Sequence, residues 1–256
     1  MAKRGVLVVS HGSRDEAWVR LVDETVAAAR VPEGVAICGA FLELVEGRLI
    51  QDGIDRLEAQ GVTDMLVVPL FVSSGSGHVD EIAWAFGARP APAVPTDLEP
   101  FRVRARVRFG RPIGDDPDVA AVIFDKIRPL SVDPAREALL LVGHGQAVEP
   151  LDRLWRAELS ALAERVRRLA GFAAADFATM LPDRIGEAME RLARACPGCD
   201  VLVAPLFLSE GYFTRHALPE KLAAYPHRYR SCALLPHPLM TRWLERTIEQ
   251  GLEESA

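Results

Sequence analysis

Two histidines and a glutamate stand at three separated points early in the chain. His11 lies in VVSHGSRDE (residues 8–16), Glu43 in GAFLELVEG (39–47) and His78 in SGSGHVDEI (74–82). Neutral imidazole nitrogens with one carboxylate suit borderline divalent ions such as Fe²⁺, Co²⁺, Ni²⁺ or Zn²⁺, and the carboxylate can also take protons from a molecule that an ion is entering. One histidine after a strand is more often a turn residue held by a hydrogen bond than a ligand. Three such groups at equivalent points of neighbouring elements reverse that reading.

The elements that position them are legible. Val6-Leu7-Val8-Val9 is short, β-branched and uncharged, which suits a strand buried on both faces of a parallel sheet. Ser10, Gly12, Ser13 and Asp15 are turn and N-cap residues, and residues 16–30 carry apolar side chains at helical spacing. His11 therefore sits where a strand hands over to a helix. A second strand, VAICGAFLEL, ends near Glu43, and a third, MLVVPLFVSS, runs into Ser73-Ser74-Gly75-Ser76-Gly77 and then His78. In open α/β sheets ligands bind beyond the carboxyl ends of the strands, where all three groups fall. The Ser/Gly stretch adds small side chains and backbone N–H groups that a flat molecule could approach closely.

The pattern repeats. His144-Gly145 ends a second aliphatic run in LLVGHGQAV (140–148), and RLEAQGVTDMLVVPLFVSSG (56–75) matches RLARACPGCDVLVAPLFLSEG (191–211) with one inserted residue. A histidine follows each block, His78 and His216. Fourth strands are expected at 102–109 and 232–235, each followed by a proline-started helix. The chain thus reads as an α/β protein of two duplicated three-layer lobes. Each has a four-stranded parallel sheet, at residues 1–130 and 137–256, with RPLSVDPARE (128–137) as linker and a cleft between the lobes. In the second copy Met180 and Leu181 stand where the first has Glu43, so its acid is missing.

Composition bounds the rest. The chain has 256 residues, 49% hydrophobic and 26% charged, as expected of a globular protein. No apolar stretch approaches the roughly 20 residues of a membrane helix, and the N-terminus lacks a signal-peptide core, so a cytoplasmic location is expected. A net charge of −6 argues against nucleic-acid binding by bulk electrostatics. Four cysteines are too few for a disulfide scaffold, and in the cytoplasm they would stay reduced; Cys196-Pro-Gly-Cys199 reads as turn chemistry. Arg102, Arg104, Arg106 and Arg108 alternate with apolar residues, which reads as a charged edge strand before a ligand-binding face.

SHGSRDE at the start, GAFLELVEGRLIQDGIDRL with its Phe-Leu-Glu, and VVPLFVSSGSGHVDEI together cover most of residues 5–87. In these segments the chain resembles the class II tetrapyrrole chelatases, and within them the sirohydrochlorin cobaltochelatases and ferrochelatases. That resemblance implies two facing lobes and ATP-independent insertion of a divalent metal into a planar macrocycle, in cobalamin or siroheme biosynthesis. Co²⁺, Fe²⁺ or Ni²⁺ would be substrate, and no organic cofactor is needed. It makes His11 and His78 the metal-facing pair and Glu43 their acidic partner. The macrocycle's carboxylates would meet Arg14 and Arg48, and its rim the 73–77 loop. The second lobe would offer His144, Tyr212, Phe213, Arg215 and His216 to the ring. Some members carry a further histidine where this chain has Gly75.

The expected partner is a small-molecule tetrapyrrole, with no nucleic acid and no membrane, the chain acting as a monomer or a homodimer. Three other readings stand beside this one. They are a metal-binding or chaperone protein on the same fold without turnover, a structural partner in a complex, and a histidine phosphatase. Against the last, Ser10 and Gly143 stand where phosphate chemistry wants an arginine before the histidine.

Overall fold

The computed structural model describes residues 2–253. Packing divides the chain into two compact units. Unit 1 takes the residues up to Ile113 and those from Met240 onward, and unit 2 is Gly114–Leu239.

In unit 1 the elements run β1 (Arg4–Ser10), α1 (Glu16–Ala28), β2 (Ala36–Phe41), α2 (Ile50–Ala59), β3 (Asp64–Pro69), α3 (Gly77–Ala85) and β4 (Arg106–Phe109). The strands form one parallel sheet in the order β2-β1-β3-β4. Every residue of β1 after Arg4 is buried, as its aliphatic composition requires of a central parallel strand. Register aligns the strand ends: Val9 faces Ala40 on one side and Pro69 on the other. Leu7, Val9, Ile54, Leu57, Met65, Val67 and Ile82 fill one side of the sheet.

Unit 2 repeats this plan with α4 (Pro117–Ile127), β5 (Glu137–Gly143), α5 (Glu149–Ala170), β6 (Ala174–Thr179), α6 (Ile185–Ala195) and β7 (Asp200–Leu206). A π-helical turn at Phe213–Ala217 then leads into α7 (Leu218–Leu222) and β8 (Arg228–Tyr229). Its sheet is also parallel, in the order β6-β5-β7-β8. The shared order bears out the two-sheet α/β architecture.

The compact units do not coincide with the two sequence repeats, because one helix from the end of each repeat packs in the other unit. α4, which follows the first sheet, packs on α5 and β7 of unit 2. α8 (Pro238–Glu253), which follows the second, belongs to unit 1. There Glu245 accepts hydrogen bonds from the Arg30 backbone at 2.9 Å and side chain at 3.0 Å, and the Gly251 carbonyl accepts one from Arg108. A surface-like composition marked the connection, but apolar helix faces decide which sheet each helix covers. The connection is itself fixed by two 3₁₀ turns and by Glu137, whose carboxylate accepts hydrogen bonds from Ser131, Val132, Asp133 and Arg228.

Both fourth strands are shorter than expected. β4 starts at Arg106, after Arg104 and Ala105 have given their backbone N–H groups to Glu58. In unit 2 only Arg228–Tyr229 pair as a strand, and residues 232–235 instead send the Leu234 and Leu235 N–H groups to the Phe207 and Leu208 carbonyls. The arginine stripe is largely self-neutralised, with Arg102 near Asp55 and Arg104 and Arg108 paired with Glu58 and Asp64. Cys196 and Cys199 are joined by a disulfide, against the expectation of reduced thiols; the Pro-Gly turn brings their Cα atoms to 5.6 Å, within bridging range. Cys38 and Cys232 are free and buried. Among the described residues no helix is long and apolar enough to cross a membrane.

Candidate metal-handling site

Glycine at the end of β1 sets the geometry in unit 1. Gly12 has φ +103°, and a Cβ there would lie 2.0 Å from the Glu43 carbonyl oxygen, so only glycine lets the two loops touch backbone to backbone. Glu43 in return donates its N–H to the His11 carbonyl at 3.0 Å. This contact brings the side chains together: His11 Nε2 is 3.5 Å from Glu43 Oε1. Asp15 caps α1 by accepting the Ala17 N–H at 2.9 Å.

His78 enters from the start of α3. Its ring lies edge-on to that of His11, with centroids 4.6 Å apart. The two Nδ1 atoms are held differently. His11 Nδ1 is 3.0 Å from the Gly12 carbonyl, whereas His78 Nδ1 is 2.7 Å from Glu81 Oε1. Both partners are acceptors, so in its neutral form each ring carries its hydrogen on Nδ1 and leaves the Nε2 lone pair for a ligand. Among the described residues no three His, Cys, Asp or Glu side chains already stand at ligating separations, so His11, Glu43 and His78 would have to draw together around an ion.

The remaining candidate positions divide. Arg14 is exposed beside His11. Arg48 is committed elsewhere: it pairs bidentately with Asp23 at 2.9 and 2.5 Å and lies over the Phe41 ring, so it braces the loop rather than reaching for an anion. In the 73–77 stretch, Ser73 is buried and accepts the Gly75 N–H at 3.0 Å, while the Ser76 N–H goes to the Ser73 carbonyl. Those two N–H groups are therefore used by the turn itself. Ser76 and Gly77 start α3, and Ser74 is partly exposed.

Unit 2 repeats the scaffold with different side chains. Gly145 has φ +86°, its Cβ would lie 2.3 Å from the Leu181 carbonyl, and Leu181 donates its N–H to His144 at 2.8 Å. Leu181 is thus the counterpart of Glu43, while Met180 is buried in the core. His144 Nδ1 meets the Gly145 carbonyl at 3.1 Å as His11 meets Gly12. The ring edge-on to His144, at 4.9 Å, belongs to Phe213 and not to His216. Alignment by residue type paired His216 with His78, but the π-helical turn carries His216 onward to an exposed position against Tyr212 at 5.9 Å. Tyr212 is 67% exposed, Phe213 stacks on Phe207, and Arg215 lies 3.6 Å from Glu210.

Two residues escaped the sequence reading. Glu81 and Thr96 stand behind His78, with the Thr96 hydroxyl donating to the second oxygen of Glu81. The i, i+3 spacing of His78 and Glu81 on a helix was the available signal for the first. Nothing local marks Thr96, which arrives from a proline-rich loop.

Known proteins similar to this chain are chelatases by name. A sirohydrochlorin cobaltochelatase of Methanopyrus kandleri is 26% identical over 136 residues, covering 48% of this chain and 94% of that protein. A sirohydrochlorin ferrochelatase of Bacillus subtilis is 25% identical over 146 residues, 57% of this chain and 52% of that one. The solved structure of SirB from Bacillus subtilis with Fe³⁺ superposes with a TM-score of 0.73 at 21% identity, covering 99% of this chain and 97% of that one, which shows the fold. The CbiX family model matches residues 5–130 and again 138–251, and the chain belongs to the CbiX family.

Proposed function

We propose that the chain is a metal chelatase that inserts a divalent ion, Co²⁺ or Fe²⁺, with Ni²⁺ as a further candidate, into sirohydrochlorin or a related tetrapyrrole without ATP. The observation that carries the reading is the His11–Glu43–His78 group, in which the two imidazoles stand edge-on 4.6 Å apart, each Nδ1 faces an acceptor, and His11 Nε2 is 3.5 Å from Glu43 Oε1. Inserting M²⁺ into a free-base ring displaces two pyrrole protons, so the site needs donors that hold the ion and a base for the protons. The imidazoles meet the first need and Glu43 the second. Partial exposure suits an ion that must leave for the ring. The names of the two curated relatives support a sirohydrochlorin substrate and leave cobalt and iron both open, and with them cobalamin or siroheme synthesis as the destination.

Arg14 is proposed to meet a substrate carboxylate, and Ser74, Ser76 and Gly77 to lie near the ring edge. Unit 2 is assigned no metal: where unit 1 has Glu43 and His78 it has Leu181 and Phe213, an apolar pair suited to the face of a flat ring, with Tyr212, Arg215, His144 and His216 around it. The test is absorbance of sirohydrochlorin with the full chain and each ion in turn, iron under anaerobic conditions. Many turnovers per chain are expected with at least one ion. Stoichiometric Co²⁺ binding with no spectral change of the macrocycle would replace the chelatase by a metal carrier.

A further inference from the structure

Glu81 ties His78 to a distant part of the chain. Its carboxylate is mostly buried, 15% exposed, while the imidazole it holds is 47% exposed. One oxygen takes the His78 Nδ1–H at 2.7 Å and the other takes the Thr96 hydroxyl. Thr96 Oγ1 in turn accepts the Leu98 N–H at 3.0 Å. The neighbouring Asp80, also on α3, pairs with Arg89 and accepts the Ala93 N–H at 2.5 Å, so two adjacent carboxylates pin the segment between α3 and β4. A helix-borne histidine with a free χ2 would otherwise sample both ring orientations and both tautomers. His11 needs no such partner, because the Gly12 carbonyl is beside its ring.

We propose that Glu81, itself locked by Thr96, is a positioning residue that fixes His78 as the Nδ1–H tautomer and aims its Nε2 toward His11 and Glu43. This rests on the metal-site reading above. It predicts that the exposed histidine of the pair owes its ligand geometry to a buried carboxylate that touches no substrate. Such outer partners of a ligating histidine usually change metal affinity by 10–100-fold when removed.

The test uses the full chain as wild type, Glu81→Ala, Glu81→Gln, Thr96→Val and His11→Ala. Each is titrated with Co²⁺ alone by its visible absorption, and the His78 ring nitrogens are read by ¹⁵N NMR without metal. Glu81→Ala should weaken Co²⁺ binding by about 10–100-fold and leave His78 in mixed tautomers. Glu81→Gln, whose amide oxygen still accepts Nδ1–H, should recover most of the affinity. Thr96→Val, which spares α3, should give a smaller loss in the same direction. If His11→Ala loses Co²⁺ while Glu81→Ala and Thr96→Val bind it normally with His78 in one tautomer, the positioning role is overturned and the metal site stands. If His11→Ala also binds Co²⁺ normally, the metal-site reading falls and the role of Glu81 in it falls too.

Discussion

Glu43 and Leu181 occupy the same place in two copies of one scaffold. Each donates its backbone N–H to the carbonyl of the histidine that ends a central strand, Glu43 to His11 at 3.0 Å and Leu181 to His144 at 2.8 Å. The backbone contact is preserved while the side chain changes from a proton acceptor to an aliphatic group. A parallel change puts Phe213 edge-on to His144, where His78 stands edge-on to His11.

Histidine substitutions should therefore have unequal effects. His11→Ala and His78→Ala should lower kcat by about 100-fold or more, the range of a lost acid–base or ligand group, with little change in thermal stability because both rings are partly exposed. His144→Ala should raise KM for the macrocycle more than it lowers kcat. Steady-state kinetics with Co²⁺ decide this, and equal kcat losses at His11 and His144 would end the assignment of metal chemistry to unit 1.

Arg14 and Arg48 should separate binding from folding. Arg14→Ala should raise KM several-fold and leave urea stability unchanged, since its side chain is exposed. Arg48→Ala removes a bidentate partner of Asp23 and a cation over Phe41, and should cost about 1–2 kcal/mol of stability. A KM effect for Arg48 without destabilisation would return it to the substrate.

These cases also mark how far sequence could reach. Strand ends carrying His11, Glu43 and His78 were readable because a buried parallel strand is a bare aliphatic run and its turn residues are explicit. The pairing of Arg48 could not be read because its partner Asp23 lies on α1, far from it in sequence, and the edge-on contact of Phe213 with His144 could not because the π-helical turn breaks the residue-by-residue correspondence with His78. The allocation of α4 and α8 depends on apolar faces meeting distant sheets, which no local pattern encodes.

Gly12→Ala should be far more damaging than a glycine substitution at an open turn. The new Cβ meets the Glu43 carbonyl at 2.0 Å with φ at +103°, so the two loops must separate. A loss of about 2–4 kcal/mol in urea unfolding is expected, the size of backbone strain plus a broken loop contact. Metal affinity should fall with it, since Glu43 moves away from His11; wild-type stability would show that the loops yield easily.

Glu137 should make unit 2 acid-sensitive. Burial is the largest influence on its carboxyl and raises its pKa, but hydrogen bonds from Ser131, Val132 and Asp133 and the charge of Arg228 together outweigh it and hold the group below the ordinary value. A depressed folded pKa means stability that is fully present above the unfolded value and lost as pH falls through the folded one. Glu137→Gln should cost about 3 kcal/mol at pH 7. The gap from wild type should narrow as pH drops below 4, and a gap independent of pH would show that the charge is irrelevant.

The apolar pair of unit 2 offers the strictest check on the site. If Leu181 and Phe213 are what remove metal chemistry there, Leu181→Glu with Phe213→His should place a carboxylate and an imidazole around His144, whose Nδ1 is already tied to Gly145 at 3.1 Å. The scaffold needs no other change, because the Leu181 and Glu43 backbones make the same contact. Titration of the double variant in a His11→Ala background should show Co²⁺ binding that the background alone lacks. Leu181 is 51% exposed and Phe213 37%, so the stability cost should stay within about 1–2 kcal/mol. The engineered unit has no counterpart of Glu81 behind its new histidine, so its Co²⁺ affinity should be weaker than that of unit 1. A folded double variant that binds no Co²⁺ would mean that the three side chains of unit 1 do not by themselves make the site.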